Sequence, residues 1–198
     1  MSETRRRIPT MMLVLCAMFA ALMAVGAWIS IPVFSIPITL QLLAILCCSA
    51  LLSPGYATLS VVVYVLLGVV GLPVFTGFTG GVGKLFSITG GYIIGFIPCA
   101  FVTAWIIRHW GRSLWKQALA MILGVAVCYA FGTAWFLIMN GQQVAAGTAS
   151  KAYTLGQTLG ICVVPYIPFD LIKIAISVAL SRLLQKPLQN ALAHGRTR

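Results

Sequence analysis

The sequence predicts an all-α polytopic membrane protein of six transmembrane helices with both termini in the cytoplasm. Three observations predict it. Of the 198 residues, 61% are hydrophobic and only 8% are charged, at a mean hydropathy of +1.04, whereas a soluble domain carries about 25% charged residues. The apolar residues fall into runs long enough for roughly six spans of about 20 residues each, joined by short loops. The basic residues also sort by side. With the amino terminus inside, the cytoplasmic segments hold Arg5, Arg6, Arg7, Arg108, Arg112, Lys116, Arg182, Lys186, Arg196 and Arg198, and the outer segments hold Lys84 and Lys151. Ten against two is the bias of the positive-inside rule. The same spacing sets nucleic acid aside, because the net charge of +11 is spread between apolar runs and not gathered on one basic face.

Taken in order, span one covers residues 9–30 behind a short cytoplasmic tail, 1–8. Arg5-Arg6-Arg7 before an apolar run resembles a signal peptide. The run over 10–31 exceeds the roughly 7–15 residues of an h-region, so a retained helix is expected. Within it Ala17 and Ala21 are four apart, as are Ala20 and Ala24, a spacing that permits close helix contact inside the bundle or with another membrane protein. Span two covers 39–52. Ser53-Pro54-Gly55 then makes a tight turn into span three, 56–74. Span four covers 90–107. The inner loop from Arg108 to Lys116 mixes basic and aromatic residues, which suits an interfacial anchor with His109 at the membrane boundary.

Span five covers 117–139. The long polar stretch 140–164 follows, whose second half, 153–163, is expected to form a short helix over the outer face. Span six covers 165–184, because Pro165 and Pro168 are best tolerated in a first helical turn, and a cytoplasmic tail, 185–198, closes the chain. The whole of 1–198 reads as one domain. Six cysteines lie in or beside apolar runs without a C-x-x-C pair, which makes them small buried hydrophobes and not metal ligands.

The chemistry concentrates in Pro165-Tyr166-Ile167-Pro168-Phe169-Asp170-Leu171-Ile172-Lys173. The chain has only two acidic residues, Glu3 in the polar tail and Asp170 in an apolar run. Lys173 lies three residues on, on the same helical face. Ionisable groups at membrane depth are costly, and they face a cavity or a partner. One reading is an ion pair tying span six to itself. That arrangement carries a desolvation cost without a clear gain in stability, so a small-molecule pocket is preferred, with Phe75, Phe78, Tyr92 and Tyr166 in the same leaflet.

Gly80-Gly81-Val82-Gly83-Lys84-Leu85 invites a phosphate-loop reading. It fails because Phe78 stands at the first glycine position and Leu85 follows the lysine. Energy from ATP would therefore come from a partner. Thr89-Gly90-Gly91-Tyr92 opens span four, with Thr89 a candidate helix cap. The helix start there offers free N–H groups, while Gly91 and Gly95 form a G-x-x-x-G packing motif. Both uses of the glycines stay open. An enzyme needs a nucleophile with its base, or a metal cluster, and the spans hold one carboxylate with no Glu or His. No catalytic residue, metal or cofactor is expected.

At these residues the chain resembles the BioY family, the biotin-binding S component of energy-coupling factor (ECF) transporters. Four stretches carry the resemblance: Pro37-Ile38-Thr39-Leu40-Gln41; Gly71-Leu72-Pro73-Val74-Phe75 with Gly80-Gly81; Thr89-Gly90-Gly91-Tyr92 with Gly95-Phe96; and Pro165-Tyr166-Ile167-Pro168 with Asp170 and Lys173. Ser87-Ile88 replaces the Gly-Pro common in the family before Thr-Gly-Gly, and Phe169 replaces a glycine before the aspartate.

The resemblance implies the S-component fold, an outward-facing pocket that binds biotin with high affinity, and residence in a bacterial or archaeal cell membrane. It also implies partners, a transmembrane coupling protein and two cytoplasmic ATPases, with Ala17, Ala21 and Ala24 as the docking face. The site expected from it comprises Asp170, accepting from the ureido group, and Lys173, paired with Asp170 or with the ligand carboxylate. The rings of Tyr92 and Phe78 pack on the apolar body, and Gln41, Thr89, Gly90, Gly91 and Tyr166 complete the set. The competing expectations are an S component for another vitamin, an ion-coupled secondary transporter, and a scaffold that binds no small molecule.

Overall fold

The computed structural model describes residues 10–32, 36–149 and 151–194. The amino-terminal tail with Glu3 and the arginine triplet, Ser150, and the last four residues lie outside the described set. The elements run α1 (Thr10–Trp28), β1 (Ser30–Ile31), β2 (Ile38–Thr39), α2 (Gln41–Leu51), α3 (Pro54–Val69), α4 (Val82–Leu85), α5 (Gly90–Trp110), α6 (Leu114–Ala145), α7 (Leu155–Cys162), a 3₁₀ turn (Val164–Tyr166) and α8 (Ile167–His194).

The architecture is set by α2. Its 11 residues span only about 16 Å at 1.5 Å per residue, half of the roughly 30 Å hydrocarbon thickness. Nine of them are buried, and the helix packs against α1, α3, α5 and α8. It is a sheathed central rod with little surface left for lipid. α3, with 16 residues, is also short. Four segments are long and apolar enough to cross a bilayer by themselves: Thr10–Trp28, Gly90–Trp110, Leu114–Ala145 and Leu155–Asn190. Hydropathy alone does not separate a short core helix from a span, because both are apolar all round. The expected boundaries of 39–52 and 56–74 are therefore too generous.

Two helices run further than expected. α6 is 32 residues long and continues past 139 to Ala145. There the buried Asn140 accepts from Tyr153 N at 3.0 Å and donates to Lys151 O at 3.3 Å, pinning the following loop. α8 continues through Pro187 to His194, so most of the expected tail is helical. It begins at Ile167, two residues later than expected, with Pro165 in the 3₁₀ turn and Pro168 in the first helical turn. The short outer helix is present as α7, closed by a capping box between Thr154 and Gln157.

At the end of α1 the chain makes a two-residue antiparallel ribbon, Ser30 opposite Thr39 and Ile31 opposite Ile38. Pro32 and Pro37 lie just beyond its paired residues. They cannot donate to a ladder, and this confines the pairing to a short edge. The ribbon delivers Gln41 to the first turn of α2. All six cysteines are buried free thiols.

On α1 the two small-residue pairs divide. Ala20 and Ala24 are buried, at 2% and 7% exposure, whereas Ala17 and Ala21 face outward. The expected docking trio is therefore split: Ala24 lies about 60° round the helix from Ala21, on the side where Ala20, Met23 and Ala27 are buried. The outward face of Ala17 and Ala21 is flanked by exposed Leu13, Val14, Met18, Leu22 and Val25.

Candidate ligand-binding site

The start of α8, the start of α2, the start of α5 and the middle of α6 converge at one end of the bundle. Two adjoining chambers lie there, of about 360 Å³ and about 90 Å³. They share Ile36, Pro37, Thr39, Tyr92 and Phe96 in their walls. The larger lies within the range of roughly 300–1,000 Å³ usual for small-molecule sites.

Asp170 and Lys173 line the smaller chamber. Asp170 falls in the first turn of α8, where the positive helix end favours a carboxylate. Its exposure is 6%, and that of Lys173 is 8%. Lys173 Nζ donates to Asp170 Oδ1 at 2.8 Å, and the Tyr129 hydroxyl of α6 donates to Oδ2. Both carboxylate oxygens are thus engaged, each with a further lone pair available. Lys173 keeps two more N–H groups. Of the two partners the sequence offered for Lys173, the structure shows the contact with Asp170.

The neutral polar groups behave differently. Gln41 is buried at 3% exposure in the wall of the larger chamber, and its amide Nε2 has no hydrogen-bond partner. Tyr92 lines both chambers, and its buried hydroxyl is likewise unpartnered. Leaving such groups unsatisfied costs about 1–3 kcal/mol each. Each such group calls for an explanation, and for these two, which border the chambers, a ligand that enters there supplies one. Thr89 and Lys84 also line the larger chamber, with Lys84 on the short α4.

Tyr166 lines the smaller chamber and fixes its roof. Its hydroxyl donates to Ile36 O at 2.6 Å and accepts from Ile36 N at 2.9 Å. Tyr64, fully buried on α3, donates to Val74 O at 3.1 Å and packs edge-on against Phe75. Both rings line the larger chamber.

Other expectations fare differently. Thr89 occupies the cap position of α5 without a side-chain cap bond. Its backbone is helical (φ −92°, ψ −1°), not extended, and its hydroxyl lies 3.3 Å from that of Ser87. Gly90 and Gly91 are buried and line neither chamber. A Cβ on Gly90 would meet Leu85 O at 1.7 Å, and one on Gly91 would meet Trp135 Cβ at 2.1 Å. Their role here is close packing against α4 and α6. Phe78 turns away from the chambers. It is 64% exposed, adopts φ +56° and stacks on Trp28 with ring centroids 5.2 Å apart.

Two residues were missed by the sequence reading. Tyr129 lies 41 positions from its partner Asp170, and its only local signal is a phenol in an apolar span. Lys84 was counted with the outer charges, although it sits in the same glycine-rich stretch as the rejected phosphate loop.

Apolar helices sheathing a short central rod, with a buried ion pair and open hydrogen-bond groups around two adjoining chambers, define a membrane-embedded substrate-binding component. The family model described as the BioY family matches residues 1–190, and the chain belongs to that family. The biotin transporter BioY of Thermotoga maritima is 35% identical over 174 residues, 88% of this chain and 95% of that protein. The probable biotin transporter BioY of Pyrococcus horikoshii is 36% identical over 171 residues, 86% and 94% of the two. A solved S-component for biotin from an ECF-type ABC transporter matches with a TM-score of 0.77 at 25% identity, covering 93% of this chain and 95% of that one. The protein is a multi-pass membrane protein of this fold.

Proposed function

We propose that this chain binds biotin and serves as the substrate-binding membrane component of an ECF-type transporter. The observation that carries the reading is the Asp170–Lys173–Tyr129 unit in the wall of the smaller chamber, joined through Tyr92 to the larger one, where Gln41 holds unused hydrogen-bonding capacity. The family relatives named as biotin transporters support it.

Biotin carries two ureido N–H donors, a ureido carbonyl, an apolar thiophane ring and a carboxylate. The remaining lone pairs of Asp170 accept from the ureido N–H groups, and a charged acceptor makes those bonds strong. The free N–H groups of Lys173 and the amide of Gln41 donate to the carbonyl. The Tyr92 and Phe96 rings pack on the thiophane body. With Lys173 held by Asp170, Lys84 is the cation left in the larger chamber for the ligand carboxylate. Thr89 and Tyr166 shape the two ends of the cavity, while Gly90 and Gly91 act by letting α5 approach its neighbours.

In this reading α1, α2, α3, α5, α6 and α8 mark six passes of the chain, the short α2 and α3 completing theirs with the segments that flank them, and both termini are cytoplasmic. The ten-to-two distribution of basic residues supports that orientation. The cell membrane is that of a bacterium or archaeon. A transmembrane coupling protein docks on the outward Ala17 and Ala21 face of α1, and two cytoplasmic ATPases supply the energy. An ion-coupled mechanism with Asp170 as proton site fits less well, because Lys173 and Tyr129 already engage both of its oxygens.

The test is binding of labelled biotin to the purified protein, with Asp170→Asn and Lys173→Ala as variants. The wild type is expected to bind and both variants to lose tight binding. If both retained it, the assignment would be wrong. Co-purification with an ATPase pair tests the partners.

A further inference from the structure

At the end of the bundle opposite the Asp170 chambers there is another cavity of about 360 Å³. Its walls come from the last turns of α2 and α5, the start of α1 and the late part of α8. Arg108, Arg112, Gln185, Gln189 and Ser53 supply its polar side chains, and Met12, Leu51 and Leu188 are among its apolar ones. The function proposed above uses none of these residues.

Three observations point to a ligand. Arg108 and Arg112 line one concavity, and among the described residues the single ion pair is Lys173–Asp170, so neither guanidinium has a carboxylate partner there. The turn that carries them is built rigidly. Gly111 reverses the chain at φ +94°, and the Arg112 carbonyl accepts from Gln117 Nε2 at 3.0 Å. Gln117 is itself buried and accepts from Ser181 Oγ of α8 at 3.0 Å. Finally, exposed Trp105, Trp110 and Trp115 surround this end, the aromatic belt that marks the level of lipid head groups.

A last-turn arginine is accounted for by the helix dipole alone. That does not account for a second exposed arginine across a glycine turn, its main-chain carbonyl held by a buried amide and its side chain lining the same hollow. Guanidinium forks match phosphate oxygens bidentately, and basic pockets between helices at this level take lipid phosphate.

We propose that this cavity binds a phosphate group, held by Arg108 and Arg112 with Gln185, Gln189 and Ser53 as further donors. The source is an anionic phospholipid head group, whose phosphate charge no tethered ammonium neutralises, or a soluble phosphate. The lipid source uses the apolar wall of Met12, Leu51 and Leu188 for the acyl chains.

The purified full chain in mild detergent is titrated separately with phosphatidylglycerol mixed micelles, phosphatidylcholine mixed micelles and inorganic phosphate, and thermal unfolding is followed. Phosphatidylglycerol is expected to raise the midpoint and phosphatidylcholine to leave it unchanged. Inorganic phosphate alone reproducing the shift would assign the soluble source. The variant Arg108→Gln/Arg112→Gln is expected to lose the shift, with apparent affinity falling by roughly tenfold per arginine. Lys116→Gln/Arg182→Gln removes the same charge near the same end without touching the cavity, and it is expected to keep the shift. Monodisperse elution and unchanged far-ultraviolet dichroism show that both variants are folded. Equal protection by phosphatidylcholine, or equal loss in the two double variants, overturns the proposal.

Discussion

The two ends of the bundle solve the problem of buried polarity in opposite ways. At the Asp170 end the charges close on one another, through Lys173 and Tyr129, and the neutral groups Gln41 Nε2 and Tyr92 hydroxyl stay open. At the far end the neutral groups Gln117 and Ser181 close on one another and on the Arg112 carbonyl, while the arginines find no acidic partner among the described residues. Buried donors and acceptors cost free energy when unmet. Gln41 Nε2 and the Tyr92 hydroxyl, unlike the equally unmet Thr103 and Thr133 hydroxyls, border the two adjoining chambers, which a ligand can enter. One end is prepared for a ring with hydrogen-bonding edges, the other for an anion.

The largest expected effect comes from breaking the closed charge. Lys173→Met leaves Asp170 buried and uncompensated, and removing one partner of a buried pair costs about 3–5 kcal/mol. Chemical unfolding in detergent measures this. The double variant Asp170→Asn/Lys173→Met is expected to recover most of the stability without recovering biotin binding, so recognition and stability separate. Tyr129→Phe removes a donor to a charged acceptor, worth about 1.5–3 kcal/mol. It is expected to weaken biotin binding by roughly tenfold or more in an equilibrium assay.

Closed neutral groups are expected to behave differently from open ones. Gln117→Leu removes the donor to the Arg112 carbonyl, while Ser181 keeps the Val178 carbonyl at 2.9 Å, and it is expected to lower stability by about 1–3 kcal/mol with ligand affinity unchanged. Gln41→Leu reverses that pattern. It removes an unmet buried amide, so the ligand-free protein keeps or gains stability, while biotin affinity falls by roughly fivefold. Equal destabilisation by both leucine variants would erase the contrast. The smallest effect is expected from Phe78→Ala, less than roughly twofold in affinity, because that ring packs on Trp28 outside the chambers.

How legible these features were in the sequence depended on their range along the chain. The Asp170–Lys173 pair could be read because helical spacing places residues three apart side by side. The short outer helix could be read from its polar flanks, and the cysteines from their apolar setting. Tyr129 could not be read as the partner of Asp170, since nothing local encodes a contact across 41 positions. The direction of Phe78 was hidden by a positive φ that bulky residues seldom adopt. The extent of α2 was hidden because sheathing by other helices and sheathing by lipid select the same apolar residues. The two glycines before Tyr92 were visible as special, but a close approach to another helix and a close approach to a ligand demand the same missing side chain.

The Tyr166 hydroxyl, bonded to both the N–H and the carbonyl of Ile36, has a mechanical consequence. Ile36 lies in the roof of both chambers, and Tyr166 immediately precedes the helix that carries Asp170. A roof that lifts must either break two hydrogen bonds or drag that helix start with it. A displacement of Ile36 is thus coupled mechanically to the first turn of α8, so the position of the chamber wall and the position of Asp170 are set together.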